Sequence, residues 1–143
     1  GLLFVFFGFT HCPDLCPTTL GDLRRALRKA GPEGSRVEVA FVTVDPGRDS
    51  SETMARYLGS FFLGGHPLRP ATNEQLLAVQ AAFGAASSVT RKADGDFDVA
   101  HTAVSYLVDE HGAVVLEWDY GTTPADMAHD LRLLFSRKPG GPR

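Results

Sequence analysis

Two cysteines separated by three residues lie near the start of the chain, in the segment THCPDLCP at residues 10–17. Cys12 and Cys16 are the only cysteines in the sequence. Three kinds of chemistry fit such a pair: a structural disulfide, a redox-active dithiol, and a pair of thiolate ligands for a metal ion. The function of the protein depends on which of the three applies.

A structural disulfide is the least favoured of these readings. Cysteines four positions apart in a turn can reach the Cα separation that a disulfide requires. However, closing so small a loop removes little entropy from the unfolded chain and therefore stabilises the fold only weakly. A chain of 143 residues can also bury a core without a covalent crosslink.

A redox role and a metal-binding role both remain open on the residues alone. The pair precedes a predicted helix, whose amino-terminal dipole lowers the pKa of a thiol and favours the thiolate. Structural zinc usually takes ligands in paired spacings, and the chain has no second cysteine pair. Copper(I) is soft and accepts two thiolates with an imidazole.

An imidazole for such a site must come from one of the five histidines, which are His11, His66, His101, His111 and His129. The histidine next to Cys12 is disfavoured because adjacent residues rarely converge on one ion. Three others lie in a predicted loop, turn and helix, where a solvated role is expected. His101 stands just before an apolar predicted strand, and only a fold that brings it opposite the cysteine loop makes it a ligand.

The order of predicted elements favours an α/β fold. Apolar runs predict strands at residues 1–7, 37–44, 102–108 and 113–118, with a hairpin turn at 109–112 and another turn at 93–96. Helices are predicted after a Thr18–Thr19 cap, after an Asp49–Glu52 capping pair, from Thr72 with Gln75, and from Thr123–Pro124. This β-α-β-α-α-hairpin-α order predicts a thioredoxin-like sandwich, with a mixed central sheet flanked by helices.

The predicted sheet collects chemically active residues at one edge. Cys12 and Cys16 follow the first strand, and Asp45 follows the second. Ligands of such sheets bind outside the carboxyl ends of the strands. The cysteine loop is therefore predicted to belong to a site.

Composition excludes some functions and limits the number of domains. The net charge of −3 argues against a nucleic-acid partner. The longest apolar run, residues 2–7, is too short to span a bilayer. We expect one domain over residues 1–137 and a flexible tail at 138–143.

Three segments resemble the motifs of the Sco/SenC family, thioredoxin-fold copper proteins involved in assembling cytochrome c oxidase. Residues 6–17 (FFGFTHCPDLCP) resemble the family signature. Residues 42–46 (VTVDP), followed by Arg48–Asp49, resemble the second motif, and His101–Thr102 resembles the third. The similarity covers nearly the whole chain in the same order.

The resemblance implies a ligand set. In thioredoxin-like folds the segment entering this strand usually carries a cis-proline that faces the cysteine pair, and His101 takes that place here. Cys12, Cys16 and His101 thereby become ligands of one copper, Cu(I) or Cu(II). Asp45 becomes either a weak fourth partner for Cu(II) or a carboxylate beside the site, unless it is only a turn residue at the end of its strand.

The resemblance also implies function and partners. The protein would hold copper and pass it to the CuA centre of cytochrome c oxidase subunit II, with another copper chaperone as a further partner. The alternative is a thiol-disulfide reductase in which Cys12 and Cys16 are a redox pair that keeps the CuA-site cysteines reduced. By analogy the protein is a monomer, located in the periplasm or at the mitochondrial inner membrane.

Two departures from the family pattern accompany these expectations. Relatives normally carry an amino-terminal membrane anchor and an early β-hairpin, and both would precede the first strand seen here. Many relatives also have an acidic residue before the histidine, where this chain has Ala100. A peroxidase on the same fold ranks lower, because Phe9 occupies the position where peroxiredoxins place a threonine.

Overall fold

The computed structural model describes residues 1–10, 15–85, 87–91, 97–101 and 104–136. At positions 15, 16, 88–91 and 97–101 it describes the backbone only. Cys12, His11 and Asp14, the predicted turn at 93–96 and the tail at 138–143 lie outside the described residues.

The strands form a five-stranded mixed sheet and a separate two-stranded ribbon. In chain order they are β1 (Leu2–Gly8), β2 (Val37–Thr43), β3 (His66–Leu68), β4 (Ser87–Arg91), β5 (Phe97–His101), β6 (Ser105–Val108) and β7 (Val114–Trp118). The sheet has the order β3-β2-β1-β6-β7, in which β1, β2 and β3 are parallel and β6 is antiparallel to both of its neighbours. The antiparallel pair β4-β5 makes up the ribbon.

In the part of the chain that the structure describes, four helices connect or follow these strands: α1 (Leu15–Ala30), α2 (Ser51–Gly59), α3 (Asn73–Phe83) and α4 (Pro124–Phe135). α1 packs against α4, and a 3₁₀ segment at Gly31–Arg36 leads from α1 into β2. None of the helices within the described ranges is long and apolar enough to cross a membrane.

Aromatic rings from β1 fill the core on both faces of the sheet. Successive side chains of a strand point to opposite faces, and Phe4, Phe6 and Phe7 are all buried. The Phe6 ring lies 5.9 Å from that of Phe41 in β2, whereas Phe7 meets Phe83 of α3 at 5.5 Å. The run predicted as a strand buried on both faces is therefore the centre of the fold.

Most of the predicted elements are confirmed. The thioredoxin-like sandwich, the first two strands, the hairpin turn and the last helix are present. Thr72 caps α3 by accepting a hydrogen bond from the Gln75 amide at 3.1 Å, and Gly84 ends that helix with a φ of 70°.

Other boundaries were predicted wrongly. α1 begins at Leu15 rather than after Thr18, because the proline at 17 lies in the first turn, where a backbone N–H has no intrahelical acceptor. Short β3 lies in a stretch predicted as a loop on account of its glycines and prolines. The β4-β5 ribbon was not predicted, and it precedes a strand that begins at Ser105 rather than Thr102.

The close approach of the 3₁₀ segment to α1 gives a first prediction. Gly34 is buried, and a Cβ at this position would overlap the carbonyl oxygen of Leu27. We expect Gly34→Ala to lower the free energy of unfolding by about 1–3 kcal/mol, the usual cost of overpacking. The Leu27 carbonyl oxygen belongs to the helix backbone and cannot move away from the new methyl group as a flexible side chain could. Urea unfolding followed by circular dichroism measures the change.

Gly59→Ala is the matched control for that variant. A Cβ on Gly59, at the end of α2, would meet no atom within 4 Å. Because alanine is the better helix former by up to about 1 kcal/mol, this variant should equal or exceed the parent in stability. Equal stabilities for the two alanine variants would contradict the packing argument.

Candidate metal centre

The carboxyl ends of β1 and β2 meet at one edge of the sheet. The two parallel strands are in register up to the pair Gly8 and Thr43, and the Val44 amide then donates to the Gly8 carbonyl at 2.8 Å. β6 enters the sheet close to this edge, because its first residue, Ser105, pairs with Phe6. Three strands therefore begin or end where the cysteine loop departs.

Cys16 lies in the first turn of α1, the helix that follows β1. The helix presents its buried face to the core through Leu20, Leu23 and Ala26. This packing fixes the axis of α1 and therefore the direction in which its amino terminus points. The start of α1 at Leu15 brings the backbone of the second cysteine into the helix rather than the preceding loop.

The backbone of His101 lies at the end of β5, opposite Ser87 at the start of β4. His101 and Ser105 are four positions apart in the chain, so their Cα atoms are at most roughly 14 Å apart. Since Ser105 pairs with Phe6 of β1, the chain length limits how far the His101 end of the ribbon can lie from the carboxyl end of β1.

A buried glutamine fastens this end of the ribbon to α3. The side chain of Gln80 is 2% exposed, and its Nε2 donates a hydrogen bond to the Ser87 hydroxyl at 2.6 Å. One turn later, the Phe83 ring packs on Phe7 of β1 and on Tyr106 of β6. Through these contacts α3 links the strand partner of His101 to the central sheet.

Asp45 is buried at the carboxyl end of β2 and forms an ion pair. Its side chain accepts a hydrogen bond from Nε of Arg48 at 2.5 Å, and its own amide donates to the Thr43 hydroxyl at 3.0 Å. Arg48 is itself partly exposed. The Asp45 carboxylate is thus held in the loop that follows β2, with a cation beside it.

Asp49 has a different position from the one that was predicted. Ser50, not Asp49, caps α2 by accepting a hydrogen bond from the Thr53 amide. The Asp49 carboxylate is fully buried and accepts hydrogen bonds from Thr10 and from Thr43. Helix α2 begins two residues later, at Ser51, so Asp49 lies in the loop, where its carboxylate bonds across the sheet edge.

Three of the remaining histidines lie on the surface, as predicted. His66, in edge strand β3, contacts Glu38 at 3.2 Å, while His111 and His129 are exposed. Among the side chains that the structure describes, no three His, Cys, Asp or Glu residues are grouped so that they could hold a metal ion. The predicted ligands Cys12, Cys16 and His101 are outside that set.

Two residues at this edge were missed as contributors to the site. Asp49 belongs to the motif at residues 42–49, but its place before a helix favoured a cap. The position of Gln80 could have been predicted to be buried, because it lies one turn before Phe83 on a helix with an inward apolar face. Neither partner, Thr10 or Ser87, could be assigned without knowing the tertiary contacts.

A comparison with protein families identifies the chain. The SCO1/SenC family profile matches residues 1–136. The chain belongs to the SCO1/SenC family. The predicted resemblance is confirmed over the entire sheet and all four helices, including the segments around Cys12, Asp45 and His101.

Full-length relatives in this family are longer than this chain. The mitochondrial SCO2 homologue of Danio rerio is 34% identical over 134 residues, which are 90% of this chain and 47% of that protein. The mouse SCO2 homologue is 37% identical over 114 residues, 76% of this chain and 43% of the relative. The chain thus spans about half the length of the curated relatives it matches.

Solved structures of SCO1/SenC proteins have the same fold. Bradyrhizobium japonicum ScoI with copper bound superposes with a TM-score of 0.79 at 35% identity, over 92% of this chain and 83% of that one. Apo Sco1 from Thermus thermophilus gives 0.77 at 35% identity, over 93% and 78%. Arabidopsis thaliana ScoI with copper bound gives 0.83 at 26% identity, over 95% and 85%.

The Gln80 contact generates a prediction about the ribbon. Gln80→Leu keeps the buried volume of the side chain but removes the donor to Ser87. We expect faster amide hydrogen exchange in β4 and β5, by about tenfold, since one lost hydrogen bond of about 1–1.4 kcal/mol corresponds to that factor. Exchange in β1 and β2 should stay unchanged.

Gln75→Leu is the matched control on the same helix. Gln75 is exposed and accepts a hydrogen bond from the Ala71 amide at the helix start, away from the ribbon. Exchange in β4 and β5 should equal that of the parent. Unaltered exchange of the ribbon in Gln80→Leu would contradict the anchoring role of Gln80.

Proposed function

We propose that this SCO1/SenC protein binds one copper ion through Cys12, Cys16 and His101 and serves in the assembly of cytochrome c oxidase. The observation that carries the proposal is the meeting of three segments at one sheet edge. They are the end of β1 that leads to Cys12, the first turn of α1 that contains Cys16, and the end of the ribbon at His101. The family match over residues 1–136 supports it.

Copper is the metal that this donor set favours. Thiolates and imidazole are ligands for Cu(I), and two sulfurs with one nitrogen leave the site short of the four ligands usual for structural zinc. ScoI of Bradyrhizobium japonicum, 35% identical to this chain, is a copper-bound structure. The first turn of α1 further supports thiolate formation, because the amino-terminal end of a helix stabilises negative charge.

Asp45 contributes beside the donor set rather than within it in this proposal. Its carboxylate is engaged by Arg48, and that pair lies in the loop after β2, next to the end of β1. The guanidinium partly balances the carboxylate, which limits the negative charge near two thiolates. Such neighbouring groups orient and tune ligands without binding the metal.

Copper is cargo in this function, and its transfer requires ligand exchange. A thiolate of the acceptor forms a sulfur–copper bond as one of the protein's own thiolates releases the ion, so no electron is transferred. Repetition of that exchange moves the ion to the acceptor, for which we propose the CuA domain of cytochrome c oxidase subunit II. The Sco family is tied to cytochrome c oxidase assembly, which supports this choice of acceptor.

Replacing His101 distinguishes copper binding from dithiol chemistry, because only copper binding should require its imidazole. Exchange with a disulfide needs both cysteines but no imidazole. We expect His101→Ala to weaken copper binding by more than about 100-fold, beyond the 10–100-fold that loss of an outer partner costs. Anaerobic titration with Cu(I) and Cu(II), followed by sulfur-to-copper charge-transfer bands, measures binding, and reduction of a small disulfide measures the dithiol.

His111→Ala is the control, because His111 is exposed in the β6-β7 turn. It should bind one equivalent of copper with parental affinity. Parental copper affinity in His101→Ala would show that the ligand assignment is wrong. A parent protein that binds no copper but reduces the disulfide would instead support the thiol-disulfide reductase.

A further inference from the structure

Asp49 is a buried carboxylate that the proposed donor set does not use. Its side chain is fully buried, and a carboxylate in such a position is stable only when several donors satisfy it. The Thr10 amide donates to Oδ2 at 3.0 Å, the Thr10 hydroxyl to Oδ1 at 2.5 Å, and the Thr43 hydroxyl to Oδ2 at 2.7 Å. Two of these three donors belong to Thr10.

The backbone that carries Asp49 is braced independently of Thr10. The Asp49 amide donates to the Asp45 carbonyl at 3.0 Å. The Arg69 guanidinium donates to the Asp49 carbonyl at 2.8 Å and to the Pro46 carbonyl at 2.7 Å. These contacts fix the loop at residues 45–49 against the segment that follows β3, so Asp49 is a rigid acceptor.

Thr10 lies just beyond the end of β1, where pairing with β2 has stopped. The last paired residue of β1 is Gly8, and Cys12 comes two residues after Thr10 in the sequence. Both the backbone and the side chain of Thr10 are held by the two oxygens of one carboxylate. This arrangement fixes the position and direction of the chain at the point where it enters the cysteine segment.

A carboxylate is better suited to this task than a neutral side chain. Both of its oxygens accept hydrogen bonds, and bonds to an ionised acceptor are shorter and stronger than neutral ones. An asparagine at the same place has one acceptor oxygen and an amide that only donates. In the same orientation, its amide nitrogen would replace one of the two oxygens that accept from Thr10, so one of those two hydrogen bonds would be lost or reversed in direction.

We propose that Asp49 is a positioning residue for the cysteine pair, acting through Thr10. It restrains the chain just before the cysteine segment, and through this restraint it sets copper affinity and the stability of a Cys12–Cys16 disulfide. The copper part rests on the proposed function. The stability of the disulfide can be measured on metal-free protein, so this part of the proposal can fail independently of the part on copper affinity.

Thr10→Val and Asp49→Asn test the proposal. Valine keeps the shape of Thr10 and the backbone bond but removes the hydroxyl, without any change in charge. We expect each variant to weaken Cu(I) binding by 10–100-fold, the range found for outer partners of metal ligands. The equilibrium of the metal-free protein with a glutathione buffer should shift toward the dithiol by at least about threefold, because a less restrained pair forms its disulfide less readily.

Thr10→Ser and Thr123→Ala are the controls. Serine retains the hydroxyl and should restore parental copper affinity and redox equilibrium. Thr123 caps α4 by accepting from the Asp126 amide, so its loss destabilises the fold by a similar amount without touching the loop. Thr123→Ala should leave both readouts at parental values while lowering the thermal midpoint.

Parental copper affinity and redox equilibrium in Thr10→Val would overturn the proposal, as would an equal shift in Thr123→Ala. If Asp49→Asn does not fold, the copper affinity and redox equilibrium of Thr10→Val still test the positioning role. If the parent binds no copper, the proposed function fails, and the redox equilibrium of Thr10→Val alone then supports or overturns the positioning role.

Discussion

The parallel pairing of β1 with β2 is the constraint on which the site depends. It places the carboxyl ends of both strands side by side, up to the register pair Gly8 and Thr43. The loop after β2 is thereby brought within hydrogen-bonding distance of Thr10, although 39 positions separate Thr10 from Asp49 in the chain. Residues distant in sequence can therefore support one short cysteine segment, and the hydrophobic rings of β1 supply the energy that keeps the two strand ends together.

The other side of the site is held by a different kind of contact. The end of β5 does not belong to the main sheet and is positioned through its neighbour β4, through Gln80 of α3 and through the ring of Phe83. A two-stranded ribbon outside the main sheet can open at lower cost than a core strand. The segment that leads to the cysteines thus continues directly from a central strand, whereas the end of the ribbon at His101 is attached to the sheet through α3.

Much of the fold could be predicted because the apolar patterns are strong. β1 is apolar at nearly every position, and α3 has both a threonine cap and a terminal glycine. The start of α1 was placed too late because Thr18–Thr19 was taken as the cap, whereas the helix begins at Leu15. Asp49 was taken for a cap, since Thr10, which makes two of its hydrogen bonds, follows another strand and no local pattern encodes that contact. The ribbon was missed because residues 87–91 and 97–101 lack clear alternation of apolar and polar residues. Where tertiary contacts decide, local sequence patterns are insufficient.

The edge strand β3 has a consequence for self-association. It contains only three residues, His66–Leu68, and the middle one is a proline, which has no backbone N–H to offer to another chain. The adjacent Leu68 is half exposed, so a longer and flatter edge of this composition could pair with a strand of another chain. A short, proline-interrupted border resists the strand-to-strand polymerisation that open sheets invite. This border of the sheet is therefore a poor template for pairing with a strand of another chain.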